Sequence, residues 1–181
     1  MFLNFSIAKL LKNEYPLYYV GDQDLKYRIN YYLSLLDKIT PSSTVHSINV
    51  ANYAVGFSEF INSNICKEEM YTGAVLHDIG KITIEKNILE AKRTLTEAEM
   101  EKLKTHISAG KFLLENDSFS LGVLDIVYFH HERDDGNGYL KIPGSQIPLG
   151  AKIVAICDTF DALTADRPYR SKTDINTALK I

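Results

Sequence analysis

Apolar residues recur at helical spacing through nearly the whole chain, and no convincing set of strands interrupts them. Residues 2–12 read as a short amphipathic piece broken by Pro16. A helix is expected from Asp22 or Asp24 to about Ile39, with Leu25, Ile29, Tyr32, Leu33 and Leu36 along one face. Thr40-Pro41-Ser42-Ser43 marks a break and a restart. The next helix, about 44–62, carries Ile48, Ala51, Val55 and Ile61 near one face, with His46 in its first turn. Residues 67–79 predict another helix, closed by Gly80 as a C-terminal cap, so that His77 and Asp78 fall in its last turn. The stretch from Lys81 to Glu90 has no clear period and reads as extended chain or a turn. Thr96-Glu-Ala-Glu99 is a capping box that opens a helix through Met100, Leu103, Ile107 and Leu114, with His106 beside that stripe. Residues 121–130 and about 148–164 predict two more helices, the second strongly apolar yet containing Asp158 and Asp161. A last helix begins near Thr173. The expected class is all-α, a helical bundle.

Composition narrows the class without changing it. A chain of 181 residues, 45% hydrophobic, suits one domain with a short appendage. A net charge of −3 excludes a global basic field for DNA. Cys66 and Cys157 lie far apart and read as reduced core thiols. No stretch approaches the ~20 apolar residues of a membrane span, and the N-terminus lacks a signal-peptide layout. The expected location is cytoplasmic.

The chemistry concentrates in Tyr128-Phe-His-His-Glu-Arg-Asp-Asp-Gly-Asn-Gly-Tyr-Leu140. Successive side chains on a helix point about 100° apart. His130 and His131 can therefore serve one centre only if the helix ends there. Five histidines in all, His46, His77, His106, His130 and His131, lie at expected helix ends or beside apolar stripes. His77 is followed by Asp78, and Asp158 is an acid in an apolar helix. A buried carboxylate needs a partner, and a metal is one solution. Nitrogen and carboxylate donors without thiolate suit iron, manganese, zinc, nickel or cobalt. More than four such candidates suggest more than one ion.

His77-Asp78-Ile79-Gly80-Lys81 resembles the HD-x-G-K signature of the HD-domain metal-dependent phosphohydrolases. His106-x-x-x-Gly110, then His130 to Tyr139, then Ile156-Cys-Asp158-Thr-Phe-Asp161 through Arg170 resemble the HD-GYP subfamily. The likeness covers about residues 41 to 172, which leaves 1–40 as a helical extension and 41–181 as the catalytic domain, with a C-terminus that could be truncated. The resemblance implies a helical bundle around a binuclear centre and hydrolysis of cyclic di-GMP, a bacterial second messenger, to pGpG. It implies two divalent ions, iron or manganese first. His46, His77 and Asp158 match the ligands of one ion, His106, His130 and His131 those of the other, and Asp78 the bridging carboxylate. Two such ions about 3.5–4 Å apart activate water and stabilise charge at phosphorus. Lys81, Arg167 and Arg170 match groups that hold substrate phosphates. Tyr139 either contacts the ligand or packs. Asp161 either stands behind the ligands or ties down the arginine loop.

Two positions depart from the pattern. Ser42 stands where some members carry a glutamate for a third ion, so a two-metal site is expected and further hydrolysis to GMP is less so. Leu140 stands where the motif has proline; it frees the loop and restores an amide donor. The loop is implicated in the family in binding diguanylate-cyclase-type domains, so that such a partner, or a second copy of this chain, is the implied protein contact. Glu132, Asp134 and Asp135 read either as groups standing behind the ligands or, as the favoured reading, as a solvated acidic face. Two other readings stay open: a cyclic-dinucleotide sensor or docking module without useful catalysis, and a phosphohydrolase of another nucleotide such as 3′,3′-cyclic GMP-AMP.

Overall fold

The structure, a computed structural model, describes residues 17–165 and 173–179. The expected piece at 2–12 and the arginine loop lie outside the described residues. Nine α-helices follow in order among them: α1 Gln23–Ile39, α2 Pro41–Phe60, α3 Lys67–Val75, the single turn α4 Lys86–Leu89, α5 Glu97–Lys104, α6 His106–Asn116, α7 Leu121–Phe129, α8 Leu149–Thr164 and the short α9 Ile175–Ala178. Two 3-10 turns, Ile79–Thr83 and Gly144–Gln146, complete the regular structure. No strand occurs among the described residues.

Four helices close a ring: α2 packs on α3, α3 on α7, α7 on α8, and α8 back on α2. The helix α3 is buried on every side, Met70 through Val75 without exception, which is why its apolar pattern has no preferred face. Ile48, Ala51 and Val55 of α2, Leu124 and Val127 of α7, and Ile153 and Val154 of α8 meet it in one core. Each fully buried aliphatic side chain of this kind contributes about 1.5–3 kcal/mol. Outside the ring, α1 lays Ile29, Tyr32, Leu33 and Leu36 inward and packs on α2 and the first 3-10 turn. Asp22 caps α1 by accepting the Leu25 N–H at 2.7 Å, and the capping box at Thr96 and Glu99 is fully formed.

Several boundaries differ from expectation. The helix expected over 67–79 stops at Val75, and Gly80 is no cap. The chain tightens into i→i−3 bonds there, with Ile79 N–H on Leu76 O and Lys81 N–H on Asp78 O. Gly80 serves a close approach instead, since a Cβ there would sit 1.9 Å from the His106 carbonyl oxygen. The stretch after Lys81 is the remainder of that 3-10 turn followed by α4. The helix expected to run on from Thr96 is two helices, broken at Thr105. His46 stands in the second turn of α2, because that helix begins at Pro41. Cys157 is buried, but Cys66 is exposed at the N-terminus of α3 and is no core thiol.

Candidate metal centre

The helix ends are what build the site. A helix leaves its last carbonyls without intrahelical partners, and three histidines use them. Nδ1 of His77 donates to Ala74 O at 2.7 Å, at the end of α3. Nδ1 of His106 donates to Leu103 O at 2.7 Å, at the end of α5. Nδ1 of His130 donates to Val127 O at 2.9 Å, at the end of α7. A carbonyl can only accept, so each Nδ1 carries the hydrogen, which leaves Nε2 as the nitrogen free to bind a metal. The break at Thr105 thereby acquires a reason: it releases a carbonyl to orient His106.

These Nε2 atoms converge on Asp78. Its Oδ2 lies 3.3 Å from His77 Nε2. Its Oδ1 lies 3.5 Å from His106 Nε2 and 3.9 Å from His130 Nε2. None of the three nitrogens, nor Asp78 Oδ1, has a hydrogen-bond partner, although all are buried. Buried polar atoms are rarely left bare. Four of them aimed at one another form a donor set that a cation would satisfy. The donors fall into two groups, Asp78 with His106, His130 and His131, and His46 with His77 and Asp158, each group's atoms within 4.8 Å of one another. Nitrogen and oxygen donors without sulfur suit a first-row divalent ion.

The two groups differ electrically. Burial pushes His106 and His130 below the ordinary imidazole value, and pushes His131 down to about 4. All three are neutral at pH 7. Burial would lower His46 too, but Asp158 and Asp161 outweigh it and hold His46 up at about 9. Its Nε2 meets Asp158 Oδ1 at 2.9 Å and its Nδ1 meets Asp161 Oδ2 at 2.6 Å. Asp161 therefore backs His46, one of the two alternatives open for it. Burial would raise Asp78, yet the Lys81 ammonium beside it holds it well below the usual carboxylate range. The Lys81 ammonium lies directly on Asp78 Oδ2.

The loop after α7 closes the site. The Tyr139 ring lies 4.5 Å from that of His131, whose ring also faces His106 at 5.1 Å. Glu132 is no part of a solvated face: it is buried and accepts the Leu140 and Ile142 N–H groups. Asp134 and Asp135 are exposed, paired with Lys152 and Arg133. Ser42 is exposed, one turn before His46. Arg167 and Arg170 lie outside the described residues. What sequence reading did not find for Glu132 was its partner, the amides of the returning loop. The signal was its place directly after His131, where the chain must fold back for Gly138 to reach it.

A family model described as the HD domain matches residues 43–181. The cyclic di-GMP phosphodiesterase response regulator RpfG of Xanthomonas campestris is 44% identical over 110 residues, which are 59% of this chain and 29% of that protein. The 3′3′-cGAMP-specific phosphodiesterase 3 of Vibrio cholerae is 33% identical over 149 residues, 81% of this chain and 32% of that protein. The phosphodiesterase PgpH HD domain of L. monocytogenes superposes with a TM-score of 0.64 at 19% identity, over 82% of this chain and 79% of that one, a likeness of fold. The chain belongs to the HD-domain family, and to its HD-GYP type. It spans about a third of the length of the curated relatives it matches. No helix among the described residues is long and apolar enough to cross a membrane.

Proposed function

We propose that the chain is a metal-dependent phosphodiesterase acting on a cyclic dinucleotide, with cyclic di-GMP as substrate and pGpG as product. The observation that carries this reading is Asp78, a buried carboxylate whose two oxygens face two separate sets of histidine nitrogens. In this reading His106, His130 and His131 would hold one divalent ion and His46, His77 and Asp158 a second, with Asp78 available to both. Iron or manganese suits the donors, and zinc, nickel and cobalt are compatible. When bound, such a pair supplies an activated water and Lewis-acid stabilisation of charge at phosphorus.

The chain's own residues do the rest. The carbonyls of Ala74, Leu103 and Val127 lock three imidazoles in the tautomer that leaves Nε2 bare. Lys81 stands beside Asp78, where its ammonium can hold a phosphate oxygen of the scissile ester. Tyr139 covers His131 and offers a ring to a guanine base. Arg167 and Arg170 are assigned to the remaining phosphate by their match to the family pattern.

A second substrate has support of its own. Of the two curated relatives described, the one that matches the larger share of the chain is named for 3′3′-cGAMP. Protein loaded anaerobically with iron or manganese, offered both dinucleotides, decides between them. The expected result is about two ions per chain and formation of pGpG, abolished in a His77→Ala/Asp78→Ala double variant. Equal turnover by that variant would sink the proposal. Tight binding of cyclic di-GMP without cleavage by fully loaded protein would favour the sensor reading.

A further inference from the structure

We infer that Glu132 is a positioning residue whose carboxylate clamps the loop carrying Tyr139 through two amides, one of them the Leu140 N–H that the motif proline would lack. The inference rests on the proposed function only for what the clamp positions.

Glu132 follows His131 directly, and its residue is 5% exposed. No cation pairs with it among the described residues. Instead its Oε1 accepts the Leu140 N–H at 2.6 Å and its Oε2 accepts the Ile142 N–H at 3.2 Å. Each oxygen takes one amide, so the buried carboxylate is met by two backbone donors. Proline at 140 would have no N–H to give. Leu140 is therefore the source of the shorter bond, and the chain uses the donor that the motif residue lacks.

The loop is shaped to reach this carboxylate. Gly138 passes so close that a Cβ there would lie 2.5 Å from Glu132 Cα and 2.7 Å from its Oε2. Lys141, between the two amide donors, adopts a left-handed φ of +57°, unusual for a side chain of its length. That turn is what aims both neighbouring amides at one carboxylate. Tyr139, between Gly138 and Leu140, is thereby held with its ring 4.5 Å from His131 and 6.3 Å from His106. One carboxylate thus ties the ligand-bearing end of α7 to the residue that covers it.

The test uses Glu132→Gln, Glu132→Ala and Leu140→Pro, each loaded with manganese. Hydrogen exchange at the 140 and 142 amides reads the clamp without any reference to activity. Glu132→Ala should speed exchange at Ile142 and Leu140 by about tenfold or more. Glu132→Gln should release one amide and keep the other, since the new NH₂ faces a donor. Leu140→Pro, although it restores the motif residue, should speed exchange at Ile142. It should also raise KM for cyclic di-GMP several-fold, with manganese content unchanged and kcat less affected. Parental exchange in Glu132→Ala, or a parental KM in Leu140→Pro, would overturn the inference. If the parent protein cleaves no cyclic dinucleotide but the exchange result holds, the proposed function fails and the clamp stands.

Discussion

His46 must release a proton before its Nε2 can hold a metal, and that step should make one half of the site pH-dependent and leave the other flat. In the metal-free protein Asp158 and Asp161 grip the ring from both sides, at 2.9 and 2.6 Å, and hold its pKa at about 9. At about pH 7 roughly one molecule in a hundred has the ring neutral, which costs the incoming ion about 3 kcal/mol, or a factor of about 100 in affinity. The sign is fixed: affinity at this half rises about tenfold per pH unit through the neutral range and levels off above about pH 9. The other half should show no such slope, because His131 stays neutral down to about 4 and His106 and His130 are depressed as well.

The assay is calorimetric titration with manganese at several pH values, in paired buffers of different ionisation heat. Near pH 7 the weaker ion should release about one proton and the tighter ion almost none. His46→Gln should remove the proton release and spare the tighter ion. Proton release shared equally by both ions, or absent at pH 7, would refute the assignment of His46. Stability gives an independent check. A histidine whose folded pKa is raised stabilises fully below its unfolded value of about 6.5, and that contribution is lost as pH rises through the folded value. The metal-free protein should therefore lose stability between about pH 6.5 and 9, while metal affinity increases over the same range.

Asp161→Asn removes one of the two anions on His46; its titration, followed by NMR, should move toward the ordinary imidazole value, and the pH dependence of the second ion should move down with it by about one unit. Lys81→Ala strips the cation from a carboxylate that is almost fully buried. It should destabilise the metal-free protein by about 3 kcal/mol in denaturant, and much less once ions are bound, while lowering kcat by about 100-fold or more. Gly80→Ala places a methyl group 1.9 Å from the His106 carbonyl oxygen and 2.6 Å from the Gly110 nitrogen, both backbone atoms. It should cost more than about 3 kcal/mol in stability and reduce manganese content, because the turn carrying Asp78 must separate from α6.

The helices and the candidate donor residues were legible in the sequence for different reasons. Apolar periodicity located α1, α2, α7 and α8 within a few residues, because each turns one face to a common core. At α3 the expected start at 67 holds, but the expected end at 79 overshoots Val75, because Gly80 serves a close approach to α6 and not a helix cap. Periodicity failed at Thr105, where the apolar stripe runs on from Met100 to Leu114 but the backbone breaks to free Leu103 O for His106. A tertiary demand there overrode the local pattern, and spacing alone does not reveal it. Glu132 looked solvated because its neighbours Arg133, Asp134 and Asp135 are. Only the return of the chain at Leu140 buries it, and that return depends on contacts between residues eight apart.

The two halves of the site owe their order to different partners, and this bears on how the protein behaves without metal. Backbone carbonyls orient His77, His106 and His130, and a carbonyl fixes a tautomer without adding charge. Carboxylates orient His46, and they fix a charge as well. Asp78, buried, and Asp158, half-buried, would be costly as bare anions, but Lys81 lies on the first and protonated His46 on the second. The metal-free fold is thus held by the same carboxylates that the ions would take. Loading the site exchanges one set of cations for another. Measured affinity then reports a difference between two satisfied states, and a variant that weakens the metal-free pairs, such as Asp161→Asn at His46, should tighten the second ion at neutral pH as it lowers the stability of the metal-free protein.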